Sequence, residues 1–241
     1  MTFHQKPKMH LIKLNGVSIL EQLQLEEALL RADARNFCLI NTGSAPAIVM
    51  GISGNFEKLV NKQKFKENPV PLIRRYSGGG TVFINEETFF VSFICNSEEM
   101  QVPSYPEPIF KWSEVIYRSV FSSFEFALKE NDYVVKEKKF GGNAQYLQKN
   151  RWLHHTSFLY DYHPCQMDYL SLPEKIPSYR KSRAHKDFLC TLNTYFSSKD
   201  VLLDKVEHSL QTKFHVEKVN FLEIEPLLYK PHRKATLLIK D

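Results

Sequence analysis

The chain has 241 residues, of which 43% are hydrophobic, 13% aromatic and 24% charged. That is enough apolar material for a normal core and excludes the disordered and fibrous classes. The 32 Lys and Arg against 27 Asp and Glu leave a net charge of +5, a mild bias spread along the chain and not the concentrated footprint of a nucleic-acid binder. Cys38, Cys95, Cys165 and Cys190 form no C-x-x-C pair, so reduced thiols are expected, with neither a zinc knuckle nor a disulfide scaffold. No apolar run approaches the roughly 20 residues that span a bilayer, and the N-terminus has no signal-peptide core. A cytoplasmic chain without a membrane partner is therefore expected. An organelle matrix stays open as the alternative, because the first 18 residues carry no acid.

In chain order, Met9 to Leu14 predicts a strand, and the S-x-x-E spacing of Ser18 and Glu21 predicts a mutual cap for a helix reaching Arg31. Phe37 to Asn41 and Ala47 to Gly51 read as a strand pair, Asn55 to Glu67 as an exposed Lys-rich helix, and Val70 to Arg75 as the next strand. Thr81 to Ile84 and Thr88 to Cys95 flank a polar turn and predict a hairpin. Ile109 to Lys129 has apolar residues at helical spacing, whereas Tyr133 to Val135, Lys139 to Leu147 and Trp152 to Asp161 read as strands. Pro164 to Lys186 is irregular and basic; Ser198 caps a final helix from Lys199 to Lys213, and Val216 to Val219 reads as a short strand. With no repeat and no linker, residues 1–241 are expected to form a single mixed unit: a motif-bearing core at about 11–183, then a helix and tail at 198–241.

The run Arg74-Arg75-Tyr76-Ser77-Gly78-Gly79-Gly80 lies between two predicted strands. It is neither G-x-G-x-x-G nor a P-loop. Each glycine costs roughly 0.5 to 1 kcal/mol of conformational entropy relative to Ala, so three together point to close approach of backbone amides to a ligand. The two preceding guanidiniums suit a carboxylate or phosphate. Lys138-Lys139-Phe140-Gly141-Gly142-Asn143-Ala144 starts another strand with glycines where branched side chains are usual. A lysine beside such a gap can place its charge over a phosphate or a developing oxyanion, although a merely solvated lysine is the simpler reading of the spacing alone. His154 and His155 point to opposite faces of their strand. A two-residue turn at Lys149-Asn150 would put Lys139 on the face of His154, and a three-residue turn on that of His155.

Taken together, R-R-x-S-G-G-G-x-V-F at Arg74 to Phe83, N-D at Asn131-Asp132, K-x-x-G-N-A at Lys139 to Ala144 and the histidine pair resemble the lipoate-protein ligase A family. The resemblance runs from about Leu11 to the S-Y-R-x-x-R segment ending at Arg183. It implies an α+β fold like the catalytic domain of the biotin and lipoate ligases, with mixed sheets and flanking helices. The implied reaction activates lipoate with ATP, assisted by Mg²⁺, to lipoyl-AMP, and then passes the lipoyl group to a lysine of an acceptor lipoyl domain. The acceptors would be E2 subunits of 2-oxoacid dehydrogenases and the glycine cleavage H protein.

In that scheme Lys139 resembles the catalytic lysine. Arg75, Gly80, Thr81, Val82 and Phe83, with Lys139, resemble ATP and adenylate contacts, and Arg74, Ser77, Gly78, Gly79, Asn143 and His155 resemble lipoate contacts. The family's His-Gly motif favours His155 over His154, although Thr156 replaces the glycine, and Asn85 stands where the family carries Asp. No residue identifies Mg²⁺ ligands. Leu39, Val49, Phe83 and Leu159 are candidates by type for an apolar slot. Only a short stretch follows Arg183, so a form without the accessory domain is expected, with a separate accessory subunit as a further partner.

Two rivals stand beside this reading. A lipoyl or octanoyl transferase, using preformed lipoyl-AMP or octanoyl carrier protein, would need an acyl-accepting cysteine, for which Cys165 is the candidate downstream of the lysine motif. A nucleic-acid module would use Asn55 to Glu67 and Tyr179 to Lys186, but the modest charge speaks against nucleic acid.

Overall fold

The computed structural model describes residues 6–172 and 176–239. The first five residues of the basic N-terminal stretch, residues 173–175 of the irregular segment and the last two residues of the tail lie outside the described residues. The elements in order are β1 (Lys8–Leu14), α1 (Ile19–Ala32), β2 (Phe37–Asn41), β3 (Ala47–Met50), α2 (Phe56–Leu59), α3 (Lys62–Glu67), β4 (Leu72–Arg74), β5 (Val82–Ile84), β6 (Thr88–Asn96), α4 (Ser97–Met100) and α5 (Pro106–Val120). They continue with β7 (Phe126–Lys129), β8 (Asp132–Val135), β9 (Lys138–Leu147), β10 (Arg151–Leu159), α6 (His185–Phe188), α7 (Lys199–Lys213), β11 (His215–Lys218), α8 (Phe221–Ile224) and β12 (Leu237–Ile239). Among the described residues, no helix is long and apolar enough to cross a membrane.

The strands form an eight-stranded mixed sheet, ordered β11-β1-β2-β6-β10-β9-β8-β7, and a four-stranded one, ordered β12-β4-β3-β5. This is the expected α+β architecture. The expected pairings β2 with β3 and β5 with β6 do not form, because each pair is divided between the two sheets. The connections that cross between sheets press on each other instead. Gly43, at φ +140, lies so close to the second crossing that a Cβ would stand 2.4 Å from the Glu86 carbonyl oxygen. Asn85 braces that crossing, its side chain accepting from the Glu87 N–H and the Thr88 hydroxyl and donating to Gln166.

Local sequence accounts for the helix ends. Ser18 accepts the Glu21 N–H, but Glu21 returns the bond to the Ser18 hydroxyl at 2.6 Å and not to its backbone amide, so the expected mutual cap is only half formed. At the other end of α1 the Arg151 guanidinium donates to the carbonyls of Leu29, Leu30, Ala34 and Arg35, which satisfies orphaned acceptors there. The expected Lys-rich helix is two helices, α2 and α3, broken at Val60, whose backbone bridges to Leu170. The helix expected to run to Lys129 ends at Val120. Phe126–Lys129 instead forms the edge strand β7, where Phe126 packs on Phe121, Tyr133 and Phe140.

One face of the large sheet packs on α5 and α7 through Phe93, Tyr117, Phe121, Trp152, Phe158 and Leu202. The other face packs on α1, which also contacts the small sheet through Ile19, Leu23, Val49 and Ile73. Beyond the small sheet, Phe65, Phe83, Tyr169, Phe188 and Leu189 form a third cluster that draws the irregular segment against it.

Candidate active site

The glycine run links β4 and β5, which flank β3 on opposite sides, so it must arch over that strand. Arg75 shapes the arch from inside. Its guanidinium, 4% exposed, donates to the carbonyls of Gly78 and Gly80 at 2.9 Å each and reaches toward that of Val49. Burial lowers its pKa to about 10, which still leaves it charged at neutral pH, with buried Glu26 as the favourable charge nearby. Gly79 is required, because its φ is +105 and a Cβ would stand 2.7 Å from Arg75 Nη2 and 3.4 Å from the Asn143 carbonyl oxygen. The arch thereby packs onto β9. Gly78 and Gly80 border open space, and the hydroxyls of Ser77 and Thr81 are buried without partners, as is Arg74 Nε. Unpartnered buried polar groups of this kind are costly and uncommon. Val82 and Phe83 open β5, and Phe83 stacks on Tyr169 at 5.0 Å between ring centroids.

Lys139 owes its direction to a slip in strand register. Tyr133 pairs with Gly141 but Val134 pairs with Lys139, so Phe140 is an extra residue in β9. Phe140 and Gly141 consequently both turn toward the aromatic core, Phe140 against Phe121 and Gly141 against Phe158. Lys139 is swung to the opposite face. There its ammonium lies where a Cβ on Gly142 would be 3.2 Å away, and Asp132 Oδ1 holds it at 2.7 Å. Its side chain is 24% exposed.

The hairpin closes with the two-residue turn, Leu147 pairing with Trp152 and the Gln148 N–H with the Arg151 carbonyl. Alternation from that turn would give Lys139 the face of His154. The bulge reverses this and puts it on the face of Gly142, Ala144 and His155. His154 lies in the core. Gln145 donates to its Nδ1 at 3.0 Å, and the Tyr133 hydroxyl lies 3.2 Å from Nε2. Burial, then the neighbouring His155, push its pKa down to about 3, so it is neutral. His155 Nδ1 lies 2.9 Å from Glu26 Oε1, and the Ser92 hydroxyl donates to the same oxygen at 2.6 Å. Burial works against the Glu26 carboxylate, but His155 and the hydrogen bonds from Ser92 and Gln22 prevail and hold its pKa below the ordinary value.

The irregular segment closes around Lys139. The Tyr179 hydroxyl donates to Asp132 Oδ2 at 2.8 Å, and the Cys190 N–H donates to the Lys139 carbonyl at 2.9 Å. Arg180 and Arg183 lie over the Phe188 ring at 4.6 and 5.3 Å. Burial, then the positive charges of Arg180 and Lys139, lower the pKa of His185 to about 4, while the Asp132 carboxylate acts in the opposite sense on Arg180.

Other expected residues are dispersed. Asn143 is on the core side of β9, where it donates to the Asn131 carbonyl and accepts from Thr156. Leu39, Val49 and Phe83 with Leu159 belong to three separate clusters and do not line one slot. Cys165 is exposed, and burial raises the Cys190 thiol to about 11, away from nucleophilic activation. Among the described residues no three His, Cys, Asp or Glu cluster to hold a metal. Sequence reasoning passed over Glu26 and Tyr179 and did not assign Asp132 to the site. An acid on the buried stripe of α1, four residues from buried Gln22, was the available signal for Glu26.

Residues 18–215 match the family model described as the lipoyl protein ligase A/B catalytic domain. A Plasmodium falciparum protein named inactive lipoate–protein ligase 2 is 28% identical over 242 aligned positions, which cover 75% of this chain and 62% of that one. The fold resembles a chain of the Thermoplasma acidophilum lipoylation system, described as a bipartite lipoate protein ligase and its E2 lipoyl domain (TM-score 0.75, 17% identity, 94% of this chain and 92% of that one). It also resembles a lipoate-protein ligase A bound with ATP (TM-score 0.74, 16% identity, 94% of each chain). The matches span about a third to three-fifths of the length of the curated relatives. With the family model covering most of the chain, and a fold that agrees, the protein belongs to the lipoyl protein ligase A/B catalytic domain family.

Proposed function

We propose that this chain is an ATP-dependent lipoate-protein ligase. The observation that carries the reading is the Lys139 ammonium held by Asp132 over the backbone gap at Gly142, beside a glycine arch that Arg75 packs onto the same strand. In the first half-reaction a lipoate carboxylate oxygen attacks the α-phosphorus of ATP. An O–P bond forms, the bond to the β-phosphate oxygen breaks, and pyrophosphate leaves. In the second, a lysine amine of the acceptor attacks the acyl carbonyl, an amide forms, a proton is lost and AMP leaves. Lys139 supports both steps as a fixed positive charge beside the negative charge that builds on phosphate and carbonyl oxygens.

In this reading the arch at Gly80, Thr81, Val82 and Phe83 receives ATP and the adenylate, with Arg75 acting through the carbonyls it holds. Arg74, Ser77, Gly78, Gly79 and His155 receive lipoate, while Asn143 fixes the strand that presents Lys139. The described residues form no carboxylate cage for Mg²⁺, so a divalent ion would enter with the phosphates and neutralise them. The acceptors are lipoyl domains of 2-oxoacid dehydrogenase E2 subunits and the glycine cleavage H protein, and an accessory subunit is a further partner. One relative's name carries the word inactive, so activity must be read directly.

The test incubates the protein with an apo lipoyl domain and follows acceptor mass with three feeds: lipoate with ATP and Mg²⁺, synthetic lipoyl-AMP, and octanoyl carrier protein. The lipoyl mass increment from the first feed is expected. Modification from lipoyl-AMP alone would restrict the chain to transfer, and octanoylation without ATP would replace the ligase by the transferase.

A further inference from the structure

We infer that Tyr179 is a positioning residue for Lys139: its hydroxyl and the lysine ammonium divide the two oxygens of Asp132, and through that shared carboxylate the 178–190 segment is clasped over the lysine. Asp132 is nearly buried, with Oδ1 at 2.7 Å from Lys139 Nζ and Oδ2 accepting from the Tyr179 hydroxyl at 2.8 Å. The phenol remains a donor, because burial first and the Asp132 charge next push its pKa far above the ordinary value.

The segment is fastened around the lysine at its start, its middle and its end. At its start, Ser178 donates its N–H and hydroxyl to Glu130 in the turn between β7 and β8, whose next residues are Asn131 and Asp132. The Tyr179 ring then packs on Phe188 at 5.3 Å. At its end, Leu189 bridges to Lys139, and the Cys190 N–H donates to the Lys139 carbonyl. Backbone contacts thus hold the α-carbon side of Lys139, and Tyr179 acting through Asp132 holds the ammonium side. A lysine stem has four rotatable bonds, and a charge that must sit beside a reacting phosphate needs that freedom removed. When an anionic substrate draws the ammonium away from Oδ1, Tyr179 keeps Asp132 in place and ready to take the lysine back. The turnover arm of this inference rests on the ligase reading; the clasp itself does not.

The test compares Tyr179→Phe, Asp132→Asn and the double variant. Phenylalanine retains the ring against Phe188 and removes only the hydroxyl. Without substrates, trypsin cleavage after Arg180, Lys181 and Arg183 is expected to be severalfold faster in Tyr179→Phe, with the rest of the chain as resistant as wild type. In lipoylation assays kcat falls about tenfold, the scale of one lost hydrogen bond to a charged group, with KM for ATP and lipoate within about twofold. The double variant should be no worse than Asp132→Asn in either readout. Unchanged cleavage in Tyr179→Phe, effects that add to those of Asp132→Asn, or cleavage spread along the whole chain would each overturn the inference. If wild type modifies no acceptor from any feed, the ligase reading fails, and the cleavage cycle still decides whether Tyr179 clasps through Asp132.

Discussion

Lys139 Nζ and Asp132 Oδ1 lie 2.7 Å apart across a strand pair whose register slips by one residue between them. The slip aims both side chains to the same side of the sheet, away from the aromatic core. Because the lysine side chain is partly exposed, its loss should leave the fold intact. Lys139→Ala is expected to reduce lipoylation by more than about a hundredfold, as expected for losing a preorganised charge at the reacting centre, with little change in melting temperature. Lys139→Arg should not restore turnover, since a planar fork cannot occupy the gap over Gly142 as a compact ammonium does. Retention of wild-type kcat in Lys139→Ala would refute the assigned role.

The buried Glu26 and His155 pair should govern stability in acid. A carboxylate whose folded pKa lies below its unfolded value of 4.5 contributes stability above that pH and loses it as pH falls through the folded value. Glu26→Gln removes the buried carboxylate that accepts from Ser92 and Gln22 and faces His155, and is expected to cost about 3 kcal/mol at pH 7. Urea unfolding of wild type and variant from pH 7 to pH 3 should show that difference shrink below pH 4.5. A difference independent of pH would mean that packing and not charge is responsible.

His154 gives a second pH signature at higher pH. Its folded pKa of about 3 against an unfolded value of 6.5 means that the folded core keeps it neutral while the unfolded chain takes up a proton. Stability is therefore highest above that unfolded value and falls by about 1.4 kcal/mol per pH unit below it, down to the folded value. In His154→Gln the slope between pH 6 and 5 is expected to be shallower by one proton, measured from denaturant midpoints at fixed ionic strength. Equal slopes would show that the imidazole is charged in the fold.

Two neighbouring glycines should respond differently to one methyl group. At Gly79 a Cβ meets Arg75 Nη2 at 2.7 Å and the backbone is left-handed, whereas at Gly78 nothing lies within 4 Å. Gly79→Ala is expected to destabilise by roughly 1 to 3 kcal/mol and to raise KM for lipoate, while Gly78→Ala stays near wild-type stability. Thermal melts and steady-state assays on the two variants check both halves. Equal behaviour would show that the arch does not depend on the Arg75 contacts.

Sequence alone was sufficient for the alternation of strands and helices, which rests on local patterns: period-two and helical apolar spacing and caps at Ser18 and Ser198. The α+β class and the weight given to the runs Arg74 to Gly80 and Lys139 to Ala144 came with the resemblance of those runs to the ligase family. Sequence did not determine which strands pair, because β2 and β3, like β5 and β6, are joined by turns compatible with a hairpin and are separated only by which sheet each side chain can help bury. Nor did it determine where Lys139 points. Alternation counted from the Lys149-Asn150 turn is correct as far as Gly141, and one extra residue at Phe140, placed where its ring fills the core, reverses everything beyond it. The partnerships of Glu26 with His155 and of Tyr179 with Asp132 join residues 129 and 47 positions apart. No periodicity spans such intervals. Only the packing of α1 against β6 and β10, and of the irregular segment against β9 beside Asp132, decides that these polar groups have each other as partners.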